Sequence, residues 1–192
     1  MPGRPKIFDE NEIIAKAGEV FWRLGYEAAS TEDLLQAMGI GKGSFYLSFK
    51  GGKKELFEKA LIKHASNLVS GLKKNLSQSN DPIADLKKFF FDLADADDDE
   101  KLKGCFIANS LAEMAGRDEA TMELTSKLLH DLQDAFSVGI KRAQALGTVK
   151  NIDAALISRH LLNLWNGLSL SRRMYSRKEL REILKINLQV LG

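Results

Sequence analysis

The stretch "MGIGKGSFYLSFKGGKKELF", Met38–Phe57, places five glycines beside four lysines and four aromatic rings. Glycine inside a helix costs about 1 kcal/mol relative to alanine, so no single helix runs through it. Gly39 stops one helix, Ile40 is an apolar residue within the turn, and Gly41 lets the chain start again. Lys42 to Phe49 then reads as a short helix with Phe45 and Phe49 at i and i+4 on its inner side. A second break, "KGGKK", follows before Leu56 and Phe57.

Upstream, Ser30 and Thr31 open a two-turn helix, with Asp33 three residues after Ser30 and Leu34, Leu35 and Met38 as its apolar face. Two short helices joined by a tight turn make a helix-turn-helix. In that motif the second helix enters the major groove while the first lies across the backbone. Gly43 then removes a side chain where helix backbone meets DNA. Before this pair, Ile13, Ile14, Ala17, Val20, Phe21 and Leu24 hold helical spacing. Asp9 is its expected cap, Glu12 sits at the capping-box position, Phe8 and Ile13 form a hydrophobic staple, and Gly25 is the expected stop. Downstream, Leu56, Phe57, Ala60, Leu61, Ala65, Leu68 and Leu72 predict a helix of about twenty residues. That is too long for a three-helix head alone, and it should join the head to the rest.

The charge is unevenly spread. Residues 1–80 carry 12 Lys and Arg against 9 Asp and Glu, and residues 81–192 carry 16 against 17. Positive charge concentrated on one small head is the footprint of a polyanionic partner. A single cysteine forms no internal disulfide, which places the chain in a reducing, cytoplasmic setting. No run reaches the roughly 20 apolar residues of a membrane span, so no membrane partner is expected.

The residues Gly39-Ile40-Gly41-Lys42-Gly43-Ser44-Phe45-Tyr46-Leu47-Ser48-Phe49 resemble the DNA-binding head of the TetR/AcrR family of bacterial transcriptional regulators. The arrangement of Ala17, Phe21, Gly25, Tyr26, Ser30 and Thr31 is similar as well. The resemblance implies an all-α chain: a basic arm at 1–6, a helix-turn-helix head at 7–52 (53–66 starting the linker helix, family domain 7–66), and an effector-binding and dimerisation bundle at 67–192. It implies that Lys42, Gly43 and Ser44 meet base edges, Tyr46 a base or phosphate, and Thr31, Ser48 and Lys53 the backbone. Hydroxyl, phenol and ammonium donors suit phosphate oxygens, which set register while base contacts specify sequence.

Three positions depart from the family pattern. Gly41 replaces a frequent capping serine, Ser48 stands where histidine is common, and Phe49 and Phe57 are eight apart rather than seven, so "KGG" holds an extra residue. The phosphate contact there is assigned to Lys53 over Lys50.

Beyond residue 81, helical patterns cover roughly 82–95, 102–115, 118–146, 152–173 and 177–191. The acidic run Asp95 to Glu100 lacks the glycine and the closing glutamate of a calcium loop and reads as a solvated linker. "KGCFIANSLAEMAG", Lys103–Gly116, resembles the pocket-lining helix of some TetR/AcrR regulators. Phe89, Phe90 and Phe91 cannot all face inward at 100° per residue. The expected effector pocket comprises Phe90, Cys105, Asn109, Glu113 and Trp165. Cys105, with Lys101 and Lys103 near it, is either a reactive thiol or, the commoner case, a buried inert one. Apolar residues around most of the helix bearing Trp165, and Ile183, Leu184, Ile186, Leu188 and Leu191 after it, suit a four-helix homodimer interface.

His64, His130 and His160 have no convincing ligand spacing, so neither metal nor cofactor is expected. No Ser/His/Asp or Cys/His spacing supports an enzyme. The expected function is a repressor released from a palindromic double-stranded DNA operator by a small-molecule effector. The alternative is a helical adaptor that binds protein; steep salt dependence would separate DNA binding from it.

Overall fold

The computed structural model describes residues 9–149 and 152–192, and among these the regular structure is helical throughout. The arm at 1–6 and the staple partner Phe8 lie outside the described residues. Helix α1 (Glu10–Ala28) starts at Asp9, whose carboxylate accepts from the Asn11 amide at 2.8 Å. Glu12 pairs with Lys16 at 2.7 Å rather than closing a capping box. Gly25 kinks α1 without ending it: at φ 83°, ψ 174° the helical path breaks and then resumes to Ala28. That conformation suits glycine alone.

Helix α2 (Thr31–Met38) carries the full capping box between Ser30 and Asp33 and ends at Gly39, in the left-handed region. Helix α3 (Lys42–Ser48) begins at Gly41 with no side-chain cap. Helix α4 (Gly52–Gln78) runs 27 residues, longer than the twenty expected. Phe21, Leu34, Phe45, Phe49 and Phe57 are almost fully buried together. The Phe21 and Phe57 rings stand 4.9 Å apart, edge to face, so the core that sets α3 is shared by α1 and the start of α4.

The remaining helices are α5 (Pro82–Asp95), α6 (Asp98–Lys103), α7 (Phe106–Met114), α8 (Glu119–Ala145), α9 (Ala154–Ser171) and α10 (Arg177–Asn187), with a final 3-10 turn at Leu188–Leu191. α4 and α8 pack along each other, α9 packs on α8, and α10 lies against α5. The expected helix at 102–115 is two helices, divided at Gly104 with φ 65°. A Cβ at Gly104 would lie 2.7 Å from the Arg173 guanidinium and 3.1 Å from the Ser169 carbonyl, so the turn is closed by chain that packs directly on it. The acidic run joins α5 to α6 with its described carboxylates exposed, as expected of a solvated linker, but two of them pair with arginines of other helices. Asp99 meets Arg23 at 2.9 Å and Lys103 at 3.2 Å, Asp95 pairs with Arg181, and the run's second half forms α6.

Among the described residues no helix is long and apolar enough to cross a membrane.

Candidate nucleic-acid interface and sensor cavity

Burying Phe45 and Phe49 leaves the opposite face of α3 open. Lys42, Gly43, Ser44 and Tyr46 are exposed there, and Ser48 is half-buried at the helix end. A Cβ at Gly43 would meet only open space, so nothing inside the chain demands glycine at this position. The Tyr46 ring rests edge-on against Phe45 at 4.9 Å, which aims the phenol outward. Thr31 stands half-buried at the start of α2, one residue after the Ser30 cap.

The extra residue of "KGG" is absorbed by a turn in which the Gly51 amide donates to Glu55 at 2.8 Å and Gly52 adopts φ 64°. Lys53 sits 4.6 Å above the Tyr26 ring and donates to the Glu27 carbonyl at 3.3 Å. Lys50 is exposed.

Between head and bundle lies a cavity of about 260 Å³, lined by Trp22 of α1, His64, Asn67 and Leu68 of α4, Leu93 of α5, Gly104, Cys105, and Trp165 and Arg172 of α9 and its cap. Trp165 Nε1 donates to Cys105 Sγ at 3.3 Å, and that sulfur also accepts from the Ala108 amide at 3.4 Å, capping α7. Burial raises the Cys105 pKa despite these bonds. The thiol is therefore protonated at neutral pH, as an inert cap is, and lacks the thiolate that reactivity requires. His64 packs between Trp22 (4.8 Å) and Phe106 (5.6 Å), and burial lowers its pKa, so its ring carries no charge at pH 7.

These two features belong to one recognisable arrangement. Residues 13–60 match the family described as bacterial regulatory proteins, tetR family, and residues 82–185 match the family described as tetracyclin repressor-like, C-terminal domain. The chain belongs to the TetR family. It is 30% identical over 162 residues, 83% of each chain, to the uncharacterized HTH-type transcriptional regulator YezE of Bacillus subtilis (strain 168). It is 27% identical over 175 residues, 89% of this chain and 82% of the other, to the HTH-type transcriptional repressor ComR of Escherichia coli (strain K12). Among solved structures, a cysteine mutant of the TetR family transcriptional regulator CifR, complexed with 26 bp double-strand operator DNA, superposes with a TM-score of 0.82 at 25% identity, covering 97% of this chain and 98% of that one. The protein is thus a helix-turn-helix transcriptional regulator.

In this TetR-family chain the expected pocket residues separate. Cys105 and Trp165 line the cavity. Phe90 does not: it is fully buried in core against Phe136 at 5.5 Å, and its neighbour Phe89 is the ring that stacks on Trp165, at 5.4 Å. Asn109 donates to the Lys103 carbonyl at 2.7 Å and so holds the Gly104 turn. Glu113 turns away toward the head, where its two carboxylate oxygens accept from the amides of Tyr26 and Glu27, each at 2.9 Å.

Residues absent from the expected pocket complete the wall. Trp22 is one position off the apolar stripe of α1, a signal of contact outside the head; its Nε1 donates to the Gly104 carbonyl at 3.2 Å. His64, Asn67 and Leu68 share a face of α4 at i, i+3 and i+4, and Trp165 and Arg172 share one two turns apart on α9. Among the described residues no group of His, Cys, Asp or Glu is arranged to hold a metal.

Proposed function

We propose that the protein is a homodimeric repressor that reads a palindromic operator through α3 and leaves it when a small molecule fills the cavity. The observation that carries this reading is the solvent-facing row Lys42, Gly43, Ser44 and Tyr46, fixed from behind by Phe45 and Phe49. Lys42, Gly43 and Ser44 would meet base edges and Tyr46 a base or phosphate. Thr31, Ser48 and Lys53 would hold the backbone, and Lys53 keeps two ammonium donors beyond the one on Glu27. Similarity to ComR, named a repressor, and to CifR, solved on operator DNA, supports the direction taken.

Residues 7–52 act as the head, 53–66 open the linker helix, and 67–192 sense and dimerise. Exposed Leu156, Leu170, Met174 and Ile186 on α9, its extension and α10 supply the apolar face that a second subunit covers. The cavity supports the effector role because its wall joins Trp22 of the head helix to four elements of the bundle. An occupant that prefers one spacing of these walls changes operator affinity by that difference.

The test begins with selection of bound fragments from genomic DNA by the purified protein, followed by gel shift on the selected site. Lys42→Ala and Tyr46→Phe are each expected to weaken specific binding, by about 1–3 kcal/mol for a lost base contact, with unchanged melting temperature because both side chains are exposed. Unaltered affinity in both variants would overturn the residue assignments.

A further inference from the structure

Leu47 is 81% exposed, the most open of the large apolar side chains among the described residues. It belongs to α3, two residues after Phe45, and at 3.6 residues per turn it points about 160° away from that buried ring. It therefore stands at the crest of the solvent face and not at its edge. Lys42, Gly43, Ser44 and Tyr46 surround it, and all four are exposed. A helical side chain leans toward the helix N-terminus and covers the turn before its own Cα. For Leu47 that turn holds Gly43, where an added Cβ would meet nothing within 4 Å. The face of α3 thus carries one apolar knob beside a bare patch of backbone, ringed by an ammonium, a hydroxyl and a phenol.

We propose that Leu47 reads a thymine: its methyl groups meet the C5-methyl of one thymine in each half-site, while Gly43 lets the helix backbone come close. The inference rests on the reading of α3 as the helix that enters the major groove. In that groove the base edges offer hydrogen-bond acceptors, donors and one kind of apolar group, the thymine methyl. A leucine at the crest of a docked helix is desolvated against one of these. Against the N4 amino group of cytosine, or the N7 and exocyclic groups of a purine, it strips water from a polar atom and returns no hydrogen bond. Against the thymine methyl both partners are apolar, and their burial is favourable. Lys42, Ser44 and Tyr46 supply the donors that Leu47 lacks. Leu47 adds to them a contact that carries sequence information without a hydrogen bond.

Deoxyuridine in place of thymidine removes that methyl and leaves the base pair intact. In the operator recovered by selection from genomic DNA, each thymine is replaced in turn, symmetrically in both half-sites, and affinity is read by gel shift. One position is expected to lose about fourfold per half-site, the worth of one buried methyl group. Leu47→Ala should bind the natural operator more weakly, by about that factor or more, and should bind it no better than the operator lacking the methyl. Its melting temperature should match that of the wild type, because the side chain is exposed. Lys42→Ala should weaken binding to both operators and keep the preference between them.

The proposal is overturned if no thymine of the selected half-site is sensitive to loss of its methyl, or if the sensitive position stays sensitive in Leu47→Ala. The same gel shifts separate this from failure of the recognition helix itself. If no site is enriched, or if Lys42→Ala, Tyr46→Phe and Leu47→Ala all bind as the wild type does, both readings fall. If the first two variants weaken binding while every deoxyuridine operator binds like the natural one, α3 keeps its role and Leu47 reads no base.

Discussion

Glu113 shows how one side chain ties the two halves of the molecule together. Just past the kink at Gly25 the amides of Tyr26 and Glu27 both donate to a carboxylate from α7. A side chain added at Gly25 would come within 3.0 Å of that carboxylate, so kink and clamp are built for one another. Glu113→Ala is expected to cost about 1–2 kcal/mol, the usual penalty for losing a helix cap. Hydrogen exchange should locate the loss, accelerating at Tyr26 and Glu27 while the amides of α8 keep their protection. Uniform acceleration over the whole chain would instead mean that Glu113 supports global stability and not this junction. Nothing near Glu113 in sequence announces the partner: a glutamate in the last turn of an amphipathic helix has the pattern of a surface group or a pocket group alike. The cavity was hidden for the same reason, because its wall brings Trp22 to Arg172, 150 positions away in the chain, and to an α4 face that only folding places beside them.

At the scale of helices, the starts are the most strongly written features. Four of them place a carboxylate where hydrogen bonds hold it below its ordinary pKa. Ser30 does so for Asp33 at α2, the Gly51 amide and Lys59 for Glu55 at α4, Lys54 and the Thr121 amide for Asp118 at α8, and Ser176 for Glu179 at α10. An acid whose folded pKa is depressed contributes stability that is fully present above its unfolded pKa, about 4. That contribution is lost as pH falls through the folded value. The melting temperature should therefore drop below about pH 4, and Ser30→Ala combined with Ser176→Ala should shallow this acid limb in thermal melts recorded between pH 2 and pH 6. An unchanged limb would mean that other carboxylates set it.

The capping residues, the Gly39 stop and the hydrophobic spacing of 82–95 and 177–191 could all be read locally, because each depends on groups within one or two turns. The division of 102–115 could not. Gly104 looks like a tolerable glycine within a helix, and its turn is required by Arg173 and Ser169 packing on it from α9 and its extension. The ion pairs of the acidic run were hidden in the same way, since its partners Arg23 and Arg181 are 76 and 86 residues distant.

For the molecule as a whole, the proposed pairing through α9 and α10 predicts a variant that separates assembly from folding. Ile186 is 69% exposed on α10, so Ile186→Glu should leave the melting of the isolated chain nearly unchanged. It should convert dimer to monomer in sedimentation and abolish tight binding to a two-half-site operator; a persistent dimer would place the interface elsewhere. The length of α4 gives that pairing its mechanical meaning. From Asn67 in the cavity wall to Gly52 beside the recognition helix is about 22 Å of helix at 1.5 Å per residue. A tilt of about 5° at the cavity end swings the far end by about 2 Å, and opposite swings in two subunits change the separation of the heads by about 4 Å. One base-pair step is about 3.4 Å. In the proposed repressor, an occupant of the cavity that tilts α4 by this much would put two recognition helices about one base pair out of phase with their half-sites.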